Sequence, residues 1–474
     1  MKRTTRRSFM KAALAAGAFP FLPACVAPGR KWSPNELVRV ACCGISGMGG
    51  NDLNFLNRTG LCEVVALCDT DLGNPKTLEN LGKYPKAARF HDFRVMFDEM
   101  ADRFDAVSAG VPDHSHFPIV MRAIKEGKAV YTEKPMGHTF NEIQLMMDAE
   151  RKYGAVCQMG NQGHSRESMF QMRDYVGTGV IDPNDVSRIV THMTLERRWH
   201  KWRGKVKSFP KEMPLPATMS KHDWDTWLGT CGWHAHSTDF TYGEWRSWFD
   251  FGNGCLGDWG AHVFDGIHRF FGLGLPTRVE IRDVKGWNPF VFPMQDTLVF
   301  KFPAKGGRKA LDIEWYEGTE NRPDLPKGFV YKGWEGDIPK SGNQSYDDNS
   351  KLELRPGKEI YMKDGTVWQG CSHEDPLFRV GCAVGDVPAY EQPVEDHWTN
   401  FLRAVRGETK PNSPFSVAGP LSQTFCLGCI AQRLNRSVDF DPVRREIVGD
   451  AEANALLNGP AGTPRAGWEE YYVV

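Results

Sequence analysis

The stretch "LVRVACCGISGMGGNDLNFLNRTG", Leu37 to Gly60, decides the fold. Its first part, "LVRVACCG", is an apolar run broken by one arginine, the pattern of a strand buried on both faces. "GISGMGG", Gly44 to Gly50, follows at once and opens an amphipathic helical stretch closed by Gly60. Strand, glycine-rich turn and helix form the context a dinucleotide fingerprint needs. Such a turn aims backbone N–H groups and the helix N-terminus at a pyrophosphate. Gly44 and Gly49 take the first and third glycine positions, Ser46 takes the middle one, and Gly47 and Met48 complete the turn. A side chain at the middle position crowds the closest approach to phosphate, and serine is small enough to fit. A glycine-rich turn that holds no ligand is the plain alternative.

Working outward, "CEVVALCD" reads as a second strand that ends on Asp69, 25 residues beyond Gly44. An acid there accepts hydrogen bonds from both ribose hydroxyls and repels a 2′-phosphate, which favours NAD over NADP. Its alternative is a turn aspartate, because "CDTDLG" is itself a turn signal. "FDAVSAGVP", the helical "HFPIVMRAIKEGK", "AVYTEKP", the helical "NEIQLMMDAERKYG" and "AVCQMGNQ" continue the alternation. Residues 36–160 are therefore expected to form a doubly wound α/β (Rossmann) domain with a parallel sheet. Ligands bind beyond the carboxyl ends of such strands, so Lys134 of "TEKP" is expected to face the crevice. A lone lysine is otherwise solvated surface.

After Gly160 the rhythm changes. "SMFQMRDYVGTGVI" reads as a helix, and "SRIVTHMTLERRW", "TRVEIRDVKG", "DTLVFKFP" and "ALDIEWYEG" as longer strands without helices between them. This predicts an α+β domain over 161–457 with an open, mainly antiparallel and largely meandering sheet. Glu317 to Gln369 reads as insertions and hairpins, and "VEDHWTNFLRAVRGE" and "GPLSQTFCLGCIAQRLN" as helices. Residues 458–474 are expected to be a C-terminal tail.

A length of 474 residues implies two or three domains, and a net charge of −1 gives no field to attract nucleic acid. The 15 tryptophans suit a core first, although aromatic faces also suit sugar rings. At the N-terminus, Lys2, Arg3, Arg6, Arg7 and Lys11 precede the apolar "AALAAGAFPFLPA" and Cys25, so residues 1–30 are read as a signal peptide. Arg6-Arg7 followed by Ser8, Phe9 and Lys11 resembles a twin-arginine signal, which predicts a periplasmic protein. Leu22-Pro23-Ala24-Cys25 loosely resembles a lipoprotein cleavage site, leaving a lipid anchor at Cys25 as the alternative to a free protein. No other apolar run reaches the length of a membrane span. The 12 cysteines suggest no disulfide framework. Cys42 and Cys43 point to opposite faces of one strand, and Cys426 and Cys429 form a single CxxC in a helix, so buried thiols are expected.

"GCLGDWGAHVFDGIHRFFG", Gly254 to Gly272, places Asp258 and His262 four apart, on one face of a helix. The aspartate can then orient the imidazole, which suits proton transfer from an alcohol near neutral pH. A structural hydrogen bond between them reads equally well. Asp265 and His268 continue the helix, and no ligand spacing singles out a metal set among Asp258, His262 and His268.

In this order, "GISGMGG", "CDTD", "GVPDHSHFPIVMRAIKEGKAVYTEKPM", "GNQGHS" and "GDWGAHVFD" resemble the Gfo/Idh/MocA oxidoreductases. "NFLRAVRGETKPNSPFSVA" and "VGDAEANALL" resemble the C-terminal end of their exported bacterial members, so the likeness runs from Val38 to Leu457. The resemblance implies NAD(P) as cofactor, with Asp69 alone favouring NAD, a Rossmann domain followed by a substrate domain, and a homo-oligomer assembled through the second sheet. It implies an active-site lysine at Lys134 with Glu133 on the cofactor side, and a general acid/base at His262 partnered by Asp258. Pro112, Asp113, His114 and His116 are implied to lie on one cofactor-lining loop, and Asn161 and Gln162 on another. Tyr242, Trp245 and Arg246 are implied to shape a sugar pocket together with Lys134, Asp258 and His262. The implied reaction is hydride transfer to or from a secondary hydroxyl of a sugar, glycoside or polyol. NAD-dependent glycoside cleavage through transient oxidation and elimination is one alternative. A non-catalytic sugar-binding protein on the same scaffold is another.

Overall fold

The computed structural model describes residues 32–194, 205–321, 323–324, 356–371, 378–379, 390–460 and 464–474. The expected signal peptide, with Arg6, Arg7 and Cys25, lies outside the described residues, as does most of the insertion expected after Glu317.

The first domain alternates β1 (Val38–Cys43), α1 (Gly47–Arg58), β2 (Cys62–Cys68), α2 (Pro75–Lys83), β3 (Ala88–Phe90), α3 (Phe93–Met100), β4 (Ala106–Ala109), α4 (Asp113–Lys125), β5 (Ala129–Thr132), α5 (Phe140–Tyr153) and β6 (Cys157–Met159). Among the described residues its sheet has six parallel strands in the order β3-β2-β1-β4-β5-β6. That order reverses between β1 and β4, where doubly wound sheets open a ligand crevice. β1 is buried except at Arg39, whose guanidinium binds both oxygens of Asp105 at 3.0 and 2.7 Å just before β4. The helices start where the chain supplies caps: Asn74 accepts Lys76 N–H before α2 with Pro75 at the first position, and Thr139 accepts Glu142 N–H before α5.

The second domain contains α6 (Glu167–Gly177), β7 (Val186–Met193), α7 (Lys221–Leu228), α8 (Gly254–Val263), α9 (Asp265–Phe270), β8 (Arg278–Lys285), β9 (Gln295–Phe302), β10 (Leu311–Glu317), β11 (Gly357–Met362), β12 (Val367–Cys371) and β13 (Phe378–Arg379). It closes with α10 (His397–Val405), α11 (Phe415–Leu434), β14 (Val438–Asp441), β15 (Glu446–Ile447) and α12 (Ala451–Leu456). Among the described residues the sheet has nine strands in the order β13-β12-β11-β7-β10-β9-β8-β14-β15. It is mainly antiparallel but is not a simple meander. β7, first in sequence, lies in the middle and runs parallel to β10, and only Ser187 and Arg188 along it escape full burial. Phe264, between α8 and α9, meets Phe300 and Trp315 at ring distances of 5.5 and 6.0 Å, so these helices cover one face of the sheet. The other face carries ion pairs, Arg188 with Glu314 and Lys301 with Glu280 and Asp312.

The domains interlock. Trp398 of α10 stacks on Phe55 of α1 at 4.3 Å, and its indole N–H donates to Asp52 at 3.0 Å. The expected C-terminal tail is a docked segment instead. Trp468 and Tyr471 are each 1% exposed, and both face Phe93 of α3. Arg465 binds the Gly229 carbonyl at 2.7 Å and the carboxylate of Asp225 on α7. Two large aromatic rings and a paired arginine make that segment part of the core.

Candidate functional site

The site begins at the switch point. A Cβ on Gly49 would fall 2.1 Å from the Gly44 carbonyl oxygen and 2.6 Å from that of Gly110, which follows β4. Only glycine lets α1 press this close to the crevice floor. Ser46 is the N-cap in extended conformation, and its side chain makes no capping bond. Gly47 is exposed, with a φ of +53° and open space where a Cβ would point. The first-turn N–H groups of α1 lack helical partners, and no Ser46 capping bond occupies them. Asp69 ends β2 half-buried. Its two oxygens accept the N–H groups of Ile45 and Asp71 at 3.0 and 3.1 Å, so it braces the phosphate turn and still has lone pairs for a ribose diol. The packing around it raises its pKa to about 6, against the pull of those two N–H bonds. These residues fit a dinucleotide.

Several residues expected at the cofactor crevice also brace its walls. Glu133 is buried and accepts Gln162 Nε2 at 2.7 Å, and Gln162 also reaches the Tyr131 hydroxyl at 3.4 Å. His116 bridges the Pro135 and Val111 carbonyls at 2.9 Å each, and burial lowers its pKa to about 4. His114 sits between the Trp227 and Phe251 carbonyls at 2.7 and 3.1 Å. The segment is also not a loop: Pro112 caps α4, and Asp113, His114 and His116 occupy its first turns. Asn161 donates at 2.7 Å to Asp265, whose same oxygen meets His164 Nδ1 at 2.7 Å.

The reactive cluster crosses the domain boundary. Lys134, just past β5, donates from Nζ to Asp258 Oδ1 on α8 at 2.6 Å, with the two side chains 12% and 9% exposed. Arg246 Nε lies 3.7 Å from the same oxygen, and its guanidinium lies 4.1 Å from the centre of the Trp245 ring. Position 257 of α8 is tightly packed: a Cβ there would fall 2.3 Å from Asn253 Cβ and 3.2 Å from Pro135 Cγ. One turn beyond Asp258, His262 is buried with its ring edge-on to Trp259 at 5.7 Å. The sequence reading pairs Asp258 with His262. In the structure Asp258 binds Lys134, a partner 124 residues away.

Asp113 also belongs to this cluster. Burial pushes its pKa up to about 7, the Asp258 carboxylate adds to that, and Arg246, Lys134 and the Asn253 N–H oppose it. Its Oδ2 accepts that N–H at 3.0 Å, which fixes the start of α8. Asn253 was missed by sequence reading; its side chain makes no capping bond and donates instead to the His138 carbonyl at 3.1 Å. Burial and the nearby Asp71 carboxylate raise the pKa of Tyr242, which stands beside the turn that follows β2.

His268 Nε2 meets the Gly274 carbonyl at 2.8 Å, and no metal-type cluster of His, Cys, Asp and Glu occurs among the described residues. Nine cysteines there are free thiols, all but Cys429 fully buried. No helix among the described residues is long and apolar enough to cross a membrane.

Comparison with known proteins agrees with this geometry. Residues 38–161 match the oxidoreductase-family NAD-binding Rossmann fold, and residues 169–352 and 363–469 match that family's C-terminal alpha/beta domain. The chain belongs to the Gfo/Idh/MocA oxidoreductase family. A Lactiplantibacillus plantarum inositol 2-dehydrogenase/D-chiro-inositol 3-dehydrogenase is 28% identical over 149 residues, 31% of this chain and 41% of that protein. A glycosyl hydrolase family 109 protein of Solibacter usitatus is 29% identical over 169 residues, 33% of this chain and 39% of that protein. The chain thus matches about two fifths of the length of these curated relatives. The WlbA dehydrogenase from Bordetella pertussis, solved in complex with NADH and UDP-GlcNAcA, superposes with a TM-score of 0.54 at 12% identity. That likeness covers 86% of this chain and 99% of WlbA, and it shows the fold.

Proposed function

We propose that the protein is an exported, NAD-dependent oxidoreductase that moves a hydride between a tightly held nicotinamide cofactor and a secondary hydroxyl of a sugar, glycoside or polyol. The observation that carries this reading is the Lys134–Asp258 pair, closed at 2.6 Å across the carboxyl end of β5 with His262 one turn further along α8. Gly44, Ser46, Gly47, Met48 and Gly49 would hold the pyrophosphate and Asp69 the ribose diol; that acid supports NAD over NADP. Bound nicotinamide supplies the hydride acceptor, and that chemistry is the cofactor's own. Lys134 donates from Nζ to the alcohol oxygen and stabilises the negative charge that builds there. The imidazole of His262 takes the hydroxyl proton. Asp258 holds the lysine in position, and Arg246, laid on Trp245, walls the pocket beside it.

The inositol dehydrogenase relatives support a polyol or sugar substrate. The family 109 relatives support a second reading in which the oxidised substrate eliminates its glycosidic substituent and is then hydrated and reduced again. Export would follow the twin-arginine route, which carries folded proteins and so permits a bound nucleotide to travel inside. In the first reading a second, carbonyl-bearing substrate would take the hydride back and regenerate that nucleotide in place; in the second the closing reduction does so. The test is product mass after incubation with a panel of polyols, aldoses and glycosides. Loss of two hydrogens supports dehydrogenation, and gain of water across a glycosidic bond supports the second reading. A nucleotide-loaded protein that turns over no member of the panel would contradict both and return the sugar-binding alternative.

A further inference from the structure

A row of polar contacts joins the two domains along the carboxyl ends of β2 and β3. The N–H of Asp71 donates to Asp69, and the carboxylate of Asp71 in turn accepts the Thr218 hydroxyl at 2.8 Å from the segment before α7. Thr218 lies so close over the β2–α2 turn that a Cβ on Gly73 would fall 2.0 Å from its methyl group. Tyr242 lies beside the same turn, where burial and the Asp71 carboxylate raise the pKa of its hydroxyl. Its ring is 56% exposed and its φ is +54°, a left-handed conformation that is strained for a bulky aromatic residue. Further along, Asp92 accepts from His222 at 2.9 Å and Thr226 at 3.3 Å, which anchors α7 to the end of β3.

The adenosine half of a dinucleotide lies beyond the end of β2 in this fold, with the acid on its ribose. We propose that Thr218 and Tyr242 of the second domain complete the adenosine-ribose subsite with Asp69 and Asp71, so that the dinucleotide is enclosed from both domains and leaves only when these contacts open. The proposal rests on the dinucleotide reading above and adds to it the groups that set retention. Tyr242 holds a flat, exposed ring at the rim, where a nucleoside can lie against it. Asp71 sets a second carboxylate beside Asp69, so a ribose phosphate would meet two negative charges.

The test loads the full chain with NADH, chases it with excess NAD⁺, and follows loss of protein-bound NADH fluorescence. Thr218→Val and Tyr242→Phe each remove one hydroxyl at an exposed or half-exposed position. Each is expected to speed release about tenfold, the size of one lost hydrogen bond to a charged group. Thr218→Ser, which keeps the hydroxyl, is expected to restore slow release. Variants that bind NADH and release it at the wild-type rate would overturn the proposal while leaving the dinucleotide reading intact. A wild type that binds no NADH would overturn both.

Discussion

At the scale of single residues, the Lys134–Asp258 pair has consequences for stability as well as chemistry. Both side chains are nearly buried, so removing Lys134 takes away the nearer cation of Asp258 and leaves Arg246 at 3.7 Å. Lys134→Met is expected to cost about 1–3 kcal/mol in urea unfolding, and Lys134→Met with Asp258→Asn to recover part of that loss. His262→Ala is expected to lower kcat by about 10²–10⁴ at saturating substrate, the usual size of general-base loss; unchanged turnover would remove His262 from that role. Asp113 makes a pH prediction. Its folded-state pKa of about 7 lies above the ordinary carboxyl value of about 3.9, so the folded protein keeps a proton that the unfolded chain releases. That contribution to stability is full below pH ~4 and is lost as pH rises towards ~7. Asp113→Asn keeps an acceptor for the Asn253 N–H and removes the ionisation. Its stability relative to wild type should therefore rise between pH 5 and pH 8, and parallel pH profiles for the two proteins would refute the assignment.

At the scale of elements, the dinucleotide turn was legible because its signal is local: a buried run, small residues at fixed spacing, then a helical period. The close approach is correspondingly intolerant. Gly49→Ala would drive a Cβ into the carbonyls of Gly44 and Gly110, and backbone atoms cannot rotate away. Affinity for NADH in a fluorescence titration should fall at least about tenfold, with an overpacking cost of about 1–3 kcal/mol in unfolding. Strand order in the second domain was not legible, because pairing β7 with β10 is a tertiary choice that no local pattern carries. β3 spans only three residues, too few for a periodic signal. Asp258 shows the same limit at the site. Spacing within α8 pointed to His262, and it gave no sign of the bond Asp258 makes to Lys134 on the other domain. The bracing bonds of Glu133, Gln162 and His116 depend on burial, which the sequence does not display.

At the scale of the whole molecule, the two domains are joined by the Lys134–Asp258 pair, by α10 on α1, and by the C-terminal segment. Trp468 belongs to the last of these joints, and Trp468→Ala should cost about 3–5 kcal/mol, read as a lower urea midpoint; an unchanged midpoint would mean the segment is not docked. An enzyme closed in this way is suited to keep its cofactor, which the proposed export requires. The most direct measurement is therefore to purify the folded chain without added nucleotide, denature it, and identify and quantify what is released. Near-stoichiometric NAD(H) is the predicted result. An empty protein that also fails to bind added NAD(H) or NADP(H) would contradict the account at its centre.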